Sequence, residues 1–99
     1  MTPEEKNSAL FASLVMMFQS AAMQNLGKIK SPVTDKLERD LEQAQLTIDI
    51  LDMLLVKAKG NMSPDEERFL KGVVQELKLN YVDEKAKDEP KPAEKGGTP

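Results

Sequence analysis

Between Asp35 and Lys59 the apolar residues Leu37, Leu41, Ala44, Ile48, Leu51, Leu55 and Ala58 recur at spacings that alternate between four and three. At 3.6 residues per turn such positions fall along one stripe of an α-helix, whereas a strand would scatter them over both of its faces. The spacing therefore predicts a helix over 35–59 with an a/d seam to bury. A second apolar set lies on the same segment. With Leu41 and Ile48 at a, Leu46 and Met53 fall at f and Ile50 at c, opposite the seam. The first half keeps a polar back, with Glu38, Arg39, Glu42 and Gln43, but the second half is apolar on two sides. A helix of that kind is either sandwiched by its own chain or covered by another subunit.

The chain before it reads as a helix over 3–26. Thr2, Pro3, Glu4 and Glu5 supply a hydroxyl cap, a proline at the first helical position and a glutamate three residues after the cap. Gly27 offers the left-handed residue that closes helices, and Lys28 suits the negative end of the dipole. No charge occurs between Lys6 and Lys28. Ser13, Gln19, Ser20, Gln24 and Asn25 nevertheless interrupt that run, where a membrane span needs about 20 mostly apolar residues. Glu4 and Glu5 argue against the positive start of a signal peptide. At 100° per residue, Leu10, Phe11, Leu14, Val15, Met17, Phe18, Ala21, Ala22 and Leu26 form a wide apolar arc. The back carries Ala9, Ala12, Ser13, Met16, Ser20 and Met23, small or flexible residues that admit a second neighbour.

Ile29 to Thr34, with Ser31 and Pro32, forms a connection in which Thr34 or Asp35 is placed to cap the second helix. After Gly60, the residues Ser63, Pro64, Asp65 and Glu66 repeat the capping-box pattern and open a third helix over 64–82. Its inward stripe is Leu70, Val73, Val74, Leu77 and Tyr81, and Gly72 lies on its outer side with no packing role to explain it. From Asp83 to Pro99 no large apolar residue occurs, so 83–99 is expected as a disordered charged tail behind a single helical domain of residues 1–82. The fold class is thus all-α, a three-helix up-down-up bundle.

Cysteine and histidine are both absent. That removes disulfides, thiolate zinc sites, thiol nucleophiles and imidazole bases together, and a chain without histidine cannot supply the Glu-x-x-His pattern of a bundle metal centre. The formal charge of -3 opposes a phosphate backbone, so nucleic acid is not an expected partner. Asp49 and Asp52, three apart beside the doubly apolar part of the second helix, are the nearest approach to a site, as carboxylates that partial burial would perturb. The plainer reading is a carboxylate held by a neighbouring cation. Asp65, Glu66 and Glu67 are accounted for by capping and the helix dipole.

Taken together, the uncharged opener from Leu10 to Gly27, the Ser31, Pro32 step, the segment Asp40 to Leu54, the joint Lys59, Gly60, Asn61, and Glu66, Glu67 followed by Leu77 and Tyr81 resemble the bacterial family called domain of unknown function 1844, over about residues 8 to 82. The resemblance implies a small bacterial helical protein with no established activity and no catalytic residues to carry over. Ala58 departs from the pattern, where a threonine is expected.

Domains of about 80 ordered residues gain only about 3 to 5 kcal/mol from one core unless stapled, oligomeric or exceptionally packed. With no cysteine staple and spare apolar surface, self-association is the expectation. The sequence therefore reads as a non-enzymatic, cytoplasmic homo-oligomer that acts as an interaction or scaffold module, with itself as first partner and another protein as a second candidate, and with no cofactor, metal or catalytic residue. Met16, Ser20, Met23, Leu46, Ile50 and Met53 are the candidate interface. The alternative is a carrier that closes a helical groove over a small apolar ligand or lipid chain.

Overall fold

The computed structural model describes residues 1–88. Three helices make up the fold: α1 Pro3–Asn25, α2 Leu41–Lys57 and α3 Pro64–Asp88. Both capping boxes form as the sequence indicates. The Thr2 amide donates to Glu5 Oε1 at 2.8 Å while the Glu5 amide donates to Thr2 Oγ1 at 3.1 Å. Ser63 and Glu66 repeat the exchange with the same two distances. Each box satisfies amides that the first turn leaves without an intrahelical partner.

Packing α1 on α2 and both on α3 buries Val15, Ala22 and Leu26 from the first helix, Ala44, Ile48 and Leu51 from the second, and Leu70, Val73, Val74 and Leu77 from the third. Phe11, Phe18, Leu41, Leu54, Leu55, Met62 and Tyr81 close the edges of this core. The central part of the predicted seam is thus the buried stripe of α2. Thr47 joins it, donating its hydroxyl proton to the Gln43 carbonyl at 3.0 Å so that its burial leaves no unpaired polar atom. The arrangement is the expected three-helix up-down-up bundle, and no strand occurs among the described residues.

Two boundaries differ from the sequence expectation. α2 starts at Leu41, not at residue 35, because the Ser31, Pro32 step closes a turn instead of launching a helix. The Asp35 amide donates to the Ser31 carbonyl at 2.8 Å and the Ser31 amide to the Lys36 carbonyl at 2.9 Å, which leaves Asp35 in the left-handed region at φ 58. A helix cannot run through that residue. The chain instead returns antiparallel to the end of α1, with a bridge between Leu26 and Arg39 and a 2.7 Å hydrogen bond from the Asp40 amide to the Asn25 carbonyl. Asp40 then caps α2, its carboxylate accepting from the Gln43 amide at 3.1 Å. Leu37, the first position of the predicted seam, is left exposed.

The second difference is at the other end. α3 continues to Asp88, six residues past the expected stop at 82. The segment lacks a large apolar residue, but Glu84 sits on the inward side and is buried by ion pairs rather than by hydrocarbon. The remainder of the expected tail, residues 89–99, lies outside the described residues.

Candidate interaction face

The rotation of α1 and α2 about their axes follows from what each sends to α3. Gln19 Nε2 donates to Glu76 Oε1 at 3.0 Å, so the flank of α1 that carries Gln19 and Met23 faces α3. Lys78 Nζ lies 2.9 Å from Asp52 Oδ2, so the flank of α2 that carries Asp52, Gln45 and Ile48 faces α3 as well. The opposite flanks face each other's helix and the solvent. On α1 that flank carries Leu10, Leu14, Met17 and Ala21; on α2 it carries Leu46, Ile50 and Met53. The Asp40 amide is held by the Asn25 carbonyl, so the end of α1 and the start of α2 lie together and the two helices run back along each other.

These side chains remain open to solvent. Met17 is 68% exposed, Leu10 56%, Leu46 51% and Met53 46%, while Leu14 is exposed and Ile50 half-buried. No acidic or basic residue lies on α1 between Lys6 and the end of the helix. The result is an exposed apolar stripe on each of two neighbouring helices, uncharged on α1 and flanked on α2 by Asp49 and Lys57, in a chain of which 31% of residues are charged. Patches of this kind mark interaction surfaces, since isolated exposed leucines are common and contiguous ones are not.

The six residues singled out from the sequence divide between two places. Leu46, Ile50 and Met53 lie on this face. Met23 is half-buried against the core, while Met16 and Ser20 are exposed on the outer side of α1. The exposed large apolar residues on the other flank of α1 are instead Leu10, Leu14 and Met17, which the sequence pattern assigns to the same wide arc as the core. Two stripes run side by side there: Phe11, Val15, Phe18 and Ala22 turn inward, and Leu10, Leu14, Met17 and Ala21, one residue earlier at each step, do not. The two phenylalanines are the signal that separates the stripes, because the bulkier side chains claim the covered side.

Neither candidate carboxylate is enclosed. Asp49 is exposed and accepts a 2.8 Å hydrogen bond from Gln45 Nε2, and Asp52 is held by Lys78. A cation thus holds Asp52 alone, and the partner of Asp49 is an amide on its own helix. The carboxylate that is buried is Glu84, 6% exposed, with Lys28 Nζ at 2.8 Å, Arg39 Nη1 at 3.2 Å and Lys87 Nζ at 2.7 Å. Hydrogen bonds from Lys28 and Lys87 outweigh its burial and, with Arg39, hold its carboxyl down at about 2. Arg39 also forks onto both oxygens of Asp88, and Lys28 reaches Asp83 at 3.3 Å. Through Lys28 and Arg39, Glu84 fastens the α1–α2 connection to α3, while Lys87 of its own helix completes its pairing, and this cluster acts as a structural clamp.

A shallow polar cleft of about 420 Å3 opens between the start of α1 and the joint after α2, lined by Glu4, Asn7, Ser8, Phe11, Asn61 and Glu66. Glu66 is held below the usual carboxylate range, first by the Ser63 backbone and then by the Ser8 hydroxyl. It is thereby occupied as a capping group. No set of three or more acidic side chains among the described residues is placed to hold a metal ion. No helix among them is long and apolar enough to cross a membrane.

Fold and face together define a small all-α protein with an apolar surface shared by two helices. Residues 8–84 match the family model described as Domain of unknown function (DUF1844), and the chain belongs to that family. The match ends at Glu84, so it takes in the clamp residue that a boundary at 82 leaves out. No curated protein and no solved structure matches the chain.

Proposed function

We propose that this protein is a non-enzymatic interaction module of the cytoplasm that assembles with copies of itself through the α1–α2 face and so presents a multivalent scaffold. The observation that carries the proposal is the exposure of Leu10, Leu14 and Met17 on α1 and of Leu46 and Met53 on α2, with Ile50 half-buried beside them. The α1 stripe carries no charge, so a second copy laid on it meets no like-charge repulsion there. Burying such leucine and methionine side chains contributes about 1.5 to 3 kcal/mol each before the entropy of association is counted.

A native mass spectrum of the untagged protein tests this directly. An integer multiple of the chain mass is the expected result, and a bare monomer at micromolar concentration overturns the proposal. A monomer that carries an apolar adduct would instead favour a carrier that covers the same face with a small ligand.

A further inference from the structure

The outward ridge of α3 has no neighbour within the described chain. Gly72, Gln75, Leu79, Val82 and Ala86 recur along it at spacings that alternate between three and four. Leu79 and Val82 are 73% and 64% exposed, and with Gln75 and Lys78 they line a shallow recess of about 380 Å3. Written as a heptad, Gly72, Leu79 and Ala86 are a positions and Gln75 and Val82 are d positions, while the residues packed into the bundle, Leu70, Val73, Val74 and Leu77, fall at b, c and f. One helix therefore carries two seams, and among the described residues one of them is packed and the other is open.

The flanks of the free seam carry opposite charge. Lys71, Lys78 and Lys85 occupy successive g positions, on the side where Lys78 reaches Asp52 of α2. Glu76 and Asp83 occupy successive e positions, on the side where Glu76 accepts from Gln19 of α1. All five side chains are exposed.

We propose that this ridge is a second self-association surface, on which α3 of a second copy lies parallel and in register. In a parallel pair a g residue faces the e residue of the next heptad on the other helix. Lys71 then meets Glu76 of the second copy and Lys78 meets its Asp83, and twofold symmetry makes each pair twice. An antiparallel pair sets g against g and e against e, which opposes lysine to lysine and acid to acid. The charge pattern thus selects both the occupant and its direction. In the single copy Lys71 pairs with Glu67 and Lys78 with Asp52, each at 2.9 Å, but these are surface pairs between exposed long side chains, which exchange at little cost. Gly72, whose position has nothing within 4 Å of where a Cβ would stand, leaves the two backbones room to close at the first a position. The ridge points away from both α1 and α2, so this surface does not depend on the α1–α2 face.

The test exploits the absence of cysteine. Ala86→Cys places a single thiol at an a position, which a parallel pair sets against its twin, whereas an antiparallel pair sets it opposite the region of Arg68, roughly 27 Å along the helix at 1.5 Å per residue. Oxidation of the full chain is expected to give a disulfide-linked dimer in high yield. Adding Lys71→Glu with Lys78→Glu should cut that yield at least tenfold, with circular dichroism confirming that the helices persist. Mixing that variant with an Ala86→Cys chain carrying Glu76→Lys and Asp83→Lys should restore it as a mixed dimer. Failure of Ala86→Cys to cross-link, or equal cross-linking by the charge-reversed variant, overturns the proposal. Met17→Asp in the Ala86→Cys background should cross-link undiminished, so failure of the α1–α2 reading leaves this result standing.

Discussion

Arg39 binds Glu84 twice across a gap of 45 residues: Nη1 lies 3.2 Å from the carboxylate oxygen Oε1 and 3.4 Å from the carbonyl oxygen of the same residue. The second contact explains why the pair is more than an exchangeable surface bridge. A guanidinium set against a carbonyl near the carboxyl end of a helix adds a backbone contact to the ion pair and meets the negative end of the helix dipole. Arg39 in turn belongs to the bridge with Leu26, so the end of α1, the return of the connection and the end of α3 are fastened at one point. Removing the central charge should loosen all three. Glu84→Gln leaves Lys28, Arg39 and Lys87 facing each other without their shared counter-ion, and is expected to destabilise the fold by about 2 kcal/mol. For a domain of this size that corresponds to a fall of roughly 8 to 16 °C in thermal midpoint. Hydrogen exchange should locate the loss in residues 27–40 and the last two turns of α3, and an unchanged midpoint would refute the clamp.

The same cluster sets the acid response. Glu84 is held at about 2 against an ordinary value of 4.5, and Glu5, Glu66, Glu67 and Asp88 are also depressed, by capping hydrogen bonds in the first two and by lysine or arginine in the others. A carboxylate whose folded pKa lies below its unfolded value contributes fully above the unfolded value and loses that contribution as pH falls toward the folded one. Stability should therefore be flat from about pH 8 to pH 5 and decline steadily from about pH 5 toward pH 2. Lys28, raised by its hydrogen bonds to Glu84 and Asp83, behaves in the opposite sense, and its contribution is lost only as pH rises past the ordinary lysine range. With no histidine to titrate, no step is expected between pH 6 and 7. Urea midpoints measured across this range check the shape. In Glu84→Gln the acid limb should be shallower.

The apolar face makes a prediction about assembly that separates it from the core. Met17 is 68% exposed, so Met17→Asp removes little from the isolated fold, and the same holds for Met53→Asp at 46%. Each places a charge where two copies of the face would meet, and a desolvated unpaired charge is costly. Both variants should keep their far-ultraviolet circular dichroism while the dissociation constant for self-association rises at least about 100-fold, a loss of about 2.7 kcal/mol. Phe18→Asp, on the adjacent inward stripe, should instead unfold the chain. Were all three variants to retain the parent mass, the face would have no part in assembly.

How much of this was legible in the sequence depends on what kind of force fixes each feature. The two capping boxes, the glycine stops and the central seam of α2 are local or periodic, and Thr2, Ser63, Ala44, Ile48 and Leu51 do what their spacing indicates. The start of α2 was not legible, because Asp35 and Asp40 are both competent caps. The choice between them is made by the return of Arg39 to Leu26, a contact set by tertiary packing. Nor was the end of α3. A composition rule counts apolar residues, and Glu84 is ordered by three cations drawn from distant parts of the chain and from its own helix. The candidate face was half legible. Its α2 side stood out as a second stripe, but the α1 side, Leu10, Leu14 and Met17, adjoins the core stripe and shares its period, and the placing of Phe11 and Phe18 is the one sequence signal that tells them apart.

The glycines give a last prediction, in which one substitution, Gly→Ala, has opposite signs at two positions. Gly27 adopts φ +77, and a Cβ there would stand 3.4 Å from both Cβ and Cγ of Arg39. Alanine at that position incurs the left-handed strain of about 1 to 2 kcal/mol and presses on the residue that carries the clamp. Gly27→Ala is therefore expected to lower stability by at least about 1 kcal/mol and to increase exchange in the connection. Gly72 lies in the interior of α3 with nothing within 4 Å of a would-be Cβ, so alanine meets no clash and restricts the unfolded chain. Gly72→Ala should raise the stability of the single copy by about 0.5 to 1 kcal/mol. Chemical denaturation at concentrations low enough to keep the chain monomeric measures both. The contrast matters because the two residues are indistinguishable by composition and differ only in backbone conformation and neighbours. A loss at Gly72 under these conditions would mean that its backbone is packed against something within the chain, contrary to the open ridge on which the pairing of α3 helices rests.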